Sequence, residues 1–411
     1  MNLKDKEILR ELAKHKIELH NEERNQQNIK DWLLHNTCRS ERPMIHTDIT
    51  GAWNEIFPKR FKCEDPFAKD IEMRLWLSFY SYDVFGDDYP VSGYFQIEWN
   101  TRFIAFGLEP KRTYPNTETG QAALGYKIDY LVEDFKRDFH KLGKSVFQLD
   151  KESTIKYAED AADIIGDILP VKIEARSLYS VPTRDIVHIM GMETMFMAMY
   201  DEPELFHEMM RRFADDTIEY FRFLETNDVL NTTVGAEYLG QGSWCYTDEL
   251  PSSGPVTAKS IWGFLDSQET VGVSPKMFDE MIFPYYKRIA DQYGLLSYGC
   301  CEPVHPFWES SLCKFDNLRK ITISPWCDEE YMGEALRGSK IIYHRKPSSD
   351  FLGVGTVLDE DAFRKHIRKT LKAAAGCTLE ITQRDIYTIN NDEPKARRYV
   401  EIIKEEINNN W

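Results

Sequence analysis

Two thiols and a carboxylate arrive together at Cys300-Cys301-Glu302, between the short apolar run Leu295-Leu-Ser-Tyr-Gly299 and Pro303. Cys, His and carboxylate are the ligands zinc accepts, and a catalytic zinc needs only three of them plus one open position. The next two β-rich runs, Ile321-Thr-Ile-Ser-Pro-Trp-Cys-Asp328 and Lys340-Ile-Ile-Tyr-His-Arg-Lys-Pro347, each deliver further ligand types just before or after a Pro. The expected zinc ligands are therefore drawn from Cys300, Cys301, Glu302, Cys327 and His344. Successive side chains of a regular strand point to opposite faces, so one of the adjacent thiols is expected to be a ligand and the other structural. The alternative is that Cys327 and Cys301 are simply small buried hydrophobes. Bound to thiolates, zinc would act as a Lewis acid on a substrate oxygen or sulfur, which suits methyl chemistry.

Around that set, Glu237, Tyr298 and Arg384 are the candidate catalytic groups, and Tyr238, Trp244, Arg345 and Asp88 the candidate substrate contacts. Arg345 and Arg384 could hold an anionic group, although arginine at such a position often only pairs with a neighbouring Asp. Asp87 and Asp88 sit in Gly-Asp-Asp-Tyr-Pro, where turn formation competes with substrate binding as their purpose.

Chemistry at successive strand ends needs elements that bring those ends together. After position 290 the pattern alternates between strands near 295–299, 320–324, 340–344 and 378–382 and intervening helical stretches, which implies βα units and a parallel sheet. Earlier runs at 42–49, 170–175 and 232–239 also read as strands, the last ending at Glu237 and Tyr238. Trp262-Gly-Phe-Leu-Asp-Ser-Gln-Glu269 forms a further edge of the same site. About eight βα units fit, so the expected fold is an α/β (β/α)8 TIM barrel with its chemistry at the carboxyl ends of the strands. Residues 1–40 are expected to be a polar helical extension packed on the outside, and 41–411 the barrel, with an insertion at about 85–150. The methionines at 190, 192, 195, 197 and 199 read as core packing of a helix pair rather than as ligands.

The 411 residues are 42% hydrophobic and 29% charged, enough for a large core. A formal net charge of -17 argues against a general nucleic-acid or anionic-membrane binder. No apolar run approaches a membrane span, and the start is charged, so a cytoplasmic address is expected. The eight cysteines are scattered, which favours reduced thiols over a disulfide framework. No Gly-rich dinucleotide or P-loop pattern opens any helix.

Gly191-Met-Glu193 with Asp201-Glu-Pro-Glu-Leu205, Val273-Ser-Pro-Lys-Met-Phe-Asp-Glu-Met-Ile-Phe-Pro-Tyr-Tyr-Lys287 and Tyr298-Gly-Cys-Cys-Glu302 together resemble the uroporphyrinogen decarboxylase superfamily over roughly residues 150–405. The resemblance implies a (β/α)8 barrel and either decarboxylation or corrinoid-dependent methyl transfer. Met44-Ile-His-Thr-Asp-Ile-Thr-Gly51 stands where the decarboxylase branch carries its arginine-rich segment, and it has no arginine. On the methyltransferase pattern of His-x-Cys plus a later Cys, the first Cys falls on Cys300, the His position on Tyr298, and the late Cys near Gln383 to Asp385. The expected function is thus a methyltransferase, zinc-assisted, that moves a methyl group from a small methylated substrate such as an aromatic methyl ether to a corrinoid protein. A uroporphyrinogen-type decarboxylase and a non-catalytic corrinoid- or ligand-binding barrel are the alternatives. A homo-oligomer is compatible with the sequence.

Overall fold

The structure is a computed structural model that describes residues 1–114 and 125–411. The rest of the expected 85–150 insertion, residues 115–124, lies outside the described residues.

Seven strands form one parallel sheet: β1 (Met44–Thr47), β2 (Leu178–Ser180), β3 (Trp262–Leu265), β4 (Leu295–Tyr298), β5 (Leu318–Ile323), β6 (Ile342–Arg345) and β7 (Leu379–Gln383), in the order β1-β7-β6-β5-β4-β3-β2. Every pairing in it is parallel, as the βα alternation after 290 predicts. The eight-stranded closed barrel is not what pairs: among the described residues β1 and β2 remain the two edges. Chain around Asp88 lies along β1 instead, its N–H donating to Ile45 O at 3.0 Å. The reason is visible in two runs read as barrel strands. Val171–Ile173 pairs with Phe95–Ile97 in a separate two-stranded sheet, and Tyr238–Gly240 pairs back on Ser243–Trp244 as a short hairpin. The strands actually used, β2 and β3, follow the first of these and the hairpin respectively.

One face of the sheet packs on helices. Ile321, Ile323, Tyr343, Leu379 and Ile381 belong to the main apolar core with residues of the helices Glu360–Ala373 and Glu393–Asn410. The alternate residues Lys320, His344, Glu380, Thr382 and His46 face the other way, toward the 238–244 hairpin. The hairpin turns through Gly240, Gln241 and Gly242, all at positive φ. A Cβ on Gly242 would come 2.4 Å from Thr382 Cγ2 and 3.3 Å from the His46 ring, so only glycine lets the turn approach the sheet. Gly242→Ala is expected to destabilise the fold by about 1–3 kcal/mol, read as a lowered urea midpoint at an unchanged slope.

The two N-terminal helices, α1 (Leu3–Asn21) and α2 (Glu23–Asn36), are where the sequence reading placed helices, but α2 is not an outer layer. Trp32 is buried against Met44 and Trp244, and its Nε1 donates to Asp88 O at 2.7 Å. His35 reaches Glu380 at 3.2 Å, and Asn36 donates to the carbonyls of Trp244 and Tyr246. Its last turn thus closes over the hairpin and the sheet's polar inner face.

That inner face is a buried ion network. Lys320 Nζ donates to Glu380 Oε2 at 2.6 Å with both side chains fully buried, and His344 pairs with Thr382 Oγ1 at 2.9 Å. Burial, opposed in part by Glu380, pushes His344 down to about 3 from its ordinary 6.5. Because its folded pKa is depressed, the unfolded chain takes up the proton first as pH falls, so stability is lost between 6.5 and about 3. The melting temperature is therefore expected to start falling near pH 6.5, well above carboxylate titration, and His344→Gln to flatten that limb.

Candidate functional site

The carboxyl ends of β3, β4, β6 and β7 and the tip of the hairpin enclose a cavity of about 440 Å³. Strand ends gather there because parallel strands all finish on one side, where loops rather than packed helices take over. Asp266 follows β3, Cys300 and Cys301 follow β4, Lys346 follows β6, and Arg384 and Asp385 follow β7. Arg184, from the first turn of the helix after β2, and Gln241, from the hairpin tip, complete the wall.

Gln241 ties the cations together. Its Oε1 accepts from Arg384 Nη1 at 2.6 Å and from Lys346 Nζ, while Arg384 Nε donates to Asp48 Oδ2 at 2.8 Å. Lys346 Nζ also donates to Cys300 O at 3.0 Å and lies 3.9 Å from Cys300 Sγ. Arg184 makes a 3.3 Å contact to Asp185 and lies over the Tyr179 ring at 5.7 Å from its centroid. Three positive groups thus face one cavity, and one of them is only weakly paired.

Cys300 and Cys301 depart from the strand rule because β4 ends at Tyr298 and Gly299 turns the chain at φ 100. Both sulfurs therefore reach the cavity and stand 3.6 Å apart. The expectation that one thiol points away is overturned by that turn. The hydrogen bond between them raises Cys300 and lowers Cys301; Lys346 lowers both, and Asp385, 3.5 Å from Cys301, opposes it.

Asp266 is 3% exposed, and among the described residues its Oδ1 has no hydrogen-bond partner. Burial first, then Glu302 and Cys300, push its carboxyl well above the ordinary range, which favours the protonated acid.

The expected zinc ligands do not converge. Glu302 is buried and holds the turn, accepting from Ser267 N at 3.0 Å and Cys300 N at 2.8 Å. Cys327 accepts from Val304 N at 3.3 Å, and His344 is sealed in the ion network below. Among the described residues no group of three or more His, Cys, Asp or Glu is arranged to hold a metal. The five residues thus do not fit zinc as a set.

Of the other candidates, Arg384 lines the cavity. Tyr238 and Trp244 line a separate cavity of about 370 Å³ beside His46 and Asp48. Arg345 points into the helix layer and donates to Glu329 at 3.1 Å and to the Ile323 and Ser324 carbonyls, so it is unavailable to substrate. Tyr298 is fully buried against Phe315 with its hydroxyl on Ser267, away from the mouth. Glu237 accepts from Gly235 N at the hairpin's base, where burial raises it to about 7. Asp88 takes Arg42 Nη1 at 2.9 Å and Ile45 N at 3.0 Å, a structural clamp on β1. The sequence reading missed Arg184, Gln241, Asp266 and Lys346. Asp266 and Lys346 each immediately follow a strand or its last basic residue, a signal that was available.

Fold and site together define an α/β protein with a parallel sheet, helices on one face and a cationic, thiol-bearing cavity at the strand ends. Among solved structures it is similar to a methyltransferase from Methanosarcina mazei, with a TM-score of 0.53 and 8% identity over 92% of this chain and 98% of that one. At that identity the likeness is one of fold. No family model matches the chain, and no curated protein matches it. Among the described residues no helix is long and apolar enough to cross a membrane.

Proposed function

We propose that this protein is a methyltransferase that binds a small methylated substrate with an anionic group in the mouth cavity and passes the methyl to the corrinoid of a separate protein. The observation that carries the reading is the meeting in one cavity of buried Asp266, whose Oδ1 has no partner among the described residues, with the Cys300/Cys301 thiols and three cations, on a fold shared with a methyltransferase. Arg184 and Lys346 would hold the substrate's anionic group. Asp266 would deliver its proton to the heteroatom that keeps the electron pair when the methyl leaves. The Cys300/Cys301 pair would bound the reacting methyl, and the half-exposed rim of Trp326 and Tyr387 would meet the partner. The corrinoid, when brought by its partner, would supply the methyl acceptor. No step is assigned to zinc.

An aromatic methyl ether is the substrate class this reading favours, since Tyr179 and Trp326 line the mouth. Arg184→Met and Lys346→Met are expected to raise KM about tenfold or more, with a smaller change in kcat, if they bind the anionic group in both ground and transition states. Unchanged KM in both variants would remove the anion-binding role.

Decarboxylation of a small polycarboxylate is a second reading, favoured by the convergence of Arg184, Lys346 and Arg384. Release of CO2 from uroporphyrinogen or a smaller polycarboxylate, without methyl transfer, would select it.

A further inference from the structure

We propose that Cys300 and Cys301 form a thiol–disulfide exchange site for small anionic disulfides, closing reversibly into a disulfide between adjacent residues. The observation is geometric: neighbouring residues in a chain rarely present both side chains to one space, yet here both sulfurs line the same cavity 3.6 Å apart. Arg184, Lys346 and Arg384 line the same cavity, with Lys346 Nζ 3.9 Å from Cys300 Sγ, and outnumber Asp266 and Asp385 there, so a disulfide carrying carboxylates is drawn to the pair. The other cysteines lack this arrangement. Cys63, Cys245 and Cys377 are buried, and Cys38, Cys313 and Cys327 have no second thiol beside them among the described residues.

The exchange balances in two steps. The Cys301 sulfur attacks one sulfur of the incoming disulfide, its proton leaving with the first released thiol, and a mixed disulfide forms on Cys301. Cys300 then attacks the Cys301 sulfur, the bond to the small thiol breaks, and the Cys300 proton leaves with the second thiol. The protein loses two hydrogens and the small disulfide is reduced to two thiols. Adjacent Cα atoms stand only about 3.8 Å apart, below the roughly 4.4–6.8 Å of ordinary disulfides, so the closed ring is strained and easily reduced. Such a bond is suited to a reversible change rather than to holding the fold. The inference does not depend on methyl transfer, because it is read from the thiols alone.

The test treats the reduced full-length protein with oxidised glutathione, alkylates the remaining thiols, and maps the cysteines by mass spectrometry. The expected result is a Cys300–Cys301 peptide two hydrogens lighter and unalkylated, returned to the dithiol by dithiothreitol, while Cys313 stays alkylatable. Cys300→Ser is expected to stop at a stable glutathionyl adduct on Cys301. Lys346→Met is expected to slow the closure, with Cys313 as the internal reference. Full alkylation of both Cys300 and Cys301 after the treatment, or an adduct confined to Cys313, would overturn the proposal.

Discussion

Replacing Asp266 by Asn is expected to lower methyl transfer about 100- to 10,000-fold, the usual contribution of a positioned general acid. The asparagine keeps the shape of the side chain but cannot give up a proton to a leaving oxygen or sulfur. Stability should not fall with activity, since the wild-type carboxyl is buried beside Glu302 with one oxygen unpartnered. The pH profile supplies a second signature. Because burial raises the Asp266 carboxyl, the acid form persists at low and intermediate pH, and the wild-type rate is expected to decline on the alkaline side as that proton is lost. The alkaline decline should be absent from the residual activity of Asp266→Asn. A variant as active as the wild type would remove Asp266 from the chemistry.

The largest stability effect is expected beneath the site, at the Lys320–Glu380 pair. Burial alone would raise the Glu380 carboxyl, but Lys320, His344 and His35 together hold it well below its ordinary value. Lys320→Met leaves that carboxylate buried with only the two histidines for company, and a loss of about 3–5 kcal/mol is expected. The double replacement Lys320→Met with Glu380→Leu should recover most of it, because two charges then leave the interior together. Urea denaturation of the single and double variants checks this. A double variant no more stable than Lys320→Met would show that the lysine contributes through packing or through its bond to Ser243 rather than through the ion pair.

Both predictions concern groups that the sequence alone does not single out, although the strands that carry them are legible in it. The strands from β4 to β7 were legible because apolar runs alternate with amphipathic helices over short separations. Their carboxyl ends were legible for the same reason, which is why Cys300, Cys301 and Arg384 were found. Apart from Asp266 and Lys346, which stand directly after their strands, the failures are matters of orientation or long-range contact. Arg345 follows His344 directly, and alternation puts His344 on the inner face and Arg345 against Glu329 in the helix layer. Tyr298 and Ser297 divide in the same way, with Tyr298 packed on Phe315 and Ser297 on the opposite face. The run 232–239 looks like a barrel strand because Val234, Ala236 and Leu239 are as apolar as strand residues, yet only Tyr238–Gly240 is extended, as the first arm of the hairpin. Only the Gly240-Gln-Gly242 turn marks it as folding back. Lys320 and Glu380 lie 60 positions apart, and nothing local joins them. The same holds for His35 and Glu380, whose meeting turns an apparently solvated helix into a closure of the sheet.

The central claim is that the mouth cavity carries methyl transfer, and its most direct test uses free cobalamin in place of a partner protein. Reduced cob(I)alamin is mixed with the purified protein and a series of methylated aromatic acids and ethers, and the conversion to methylcob(III)alamin is followed by its absorbance. The account predicts enzyme-dependent conversion with at least one anionic methylated compound, greatly reduced in Asp266→Asn. No conversion above the enzyme-free rate with any of them, or conversion indifferent to Asp266, would contradict it.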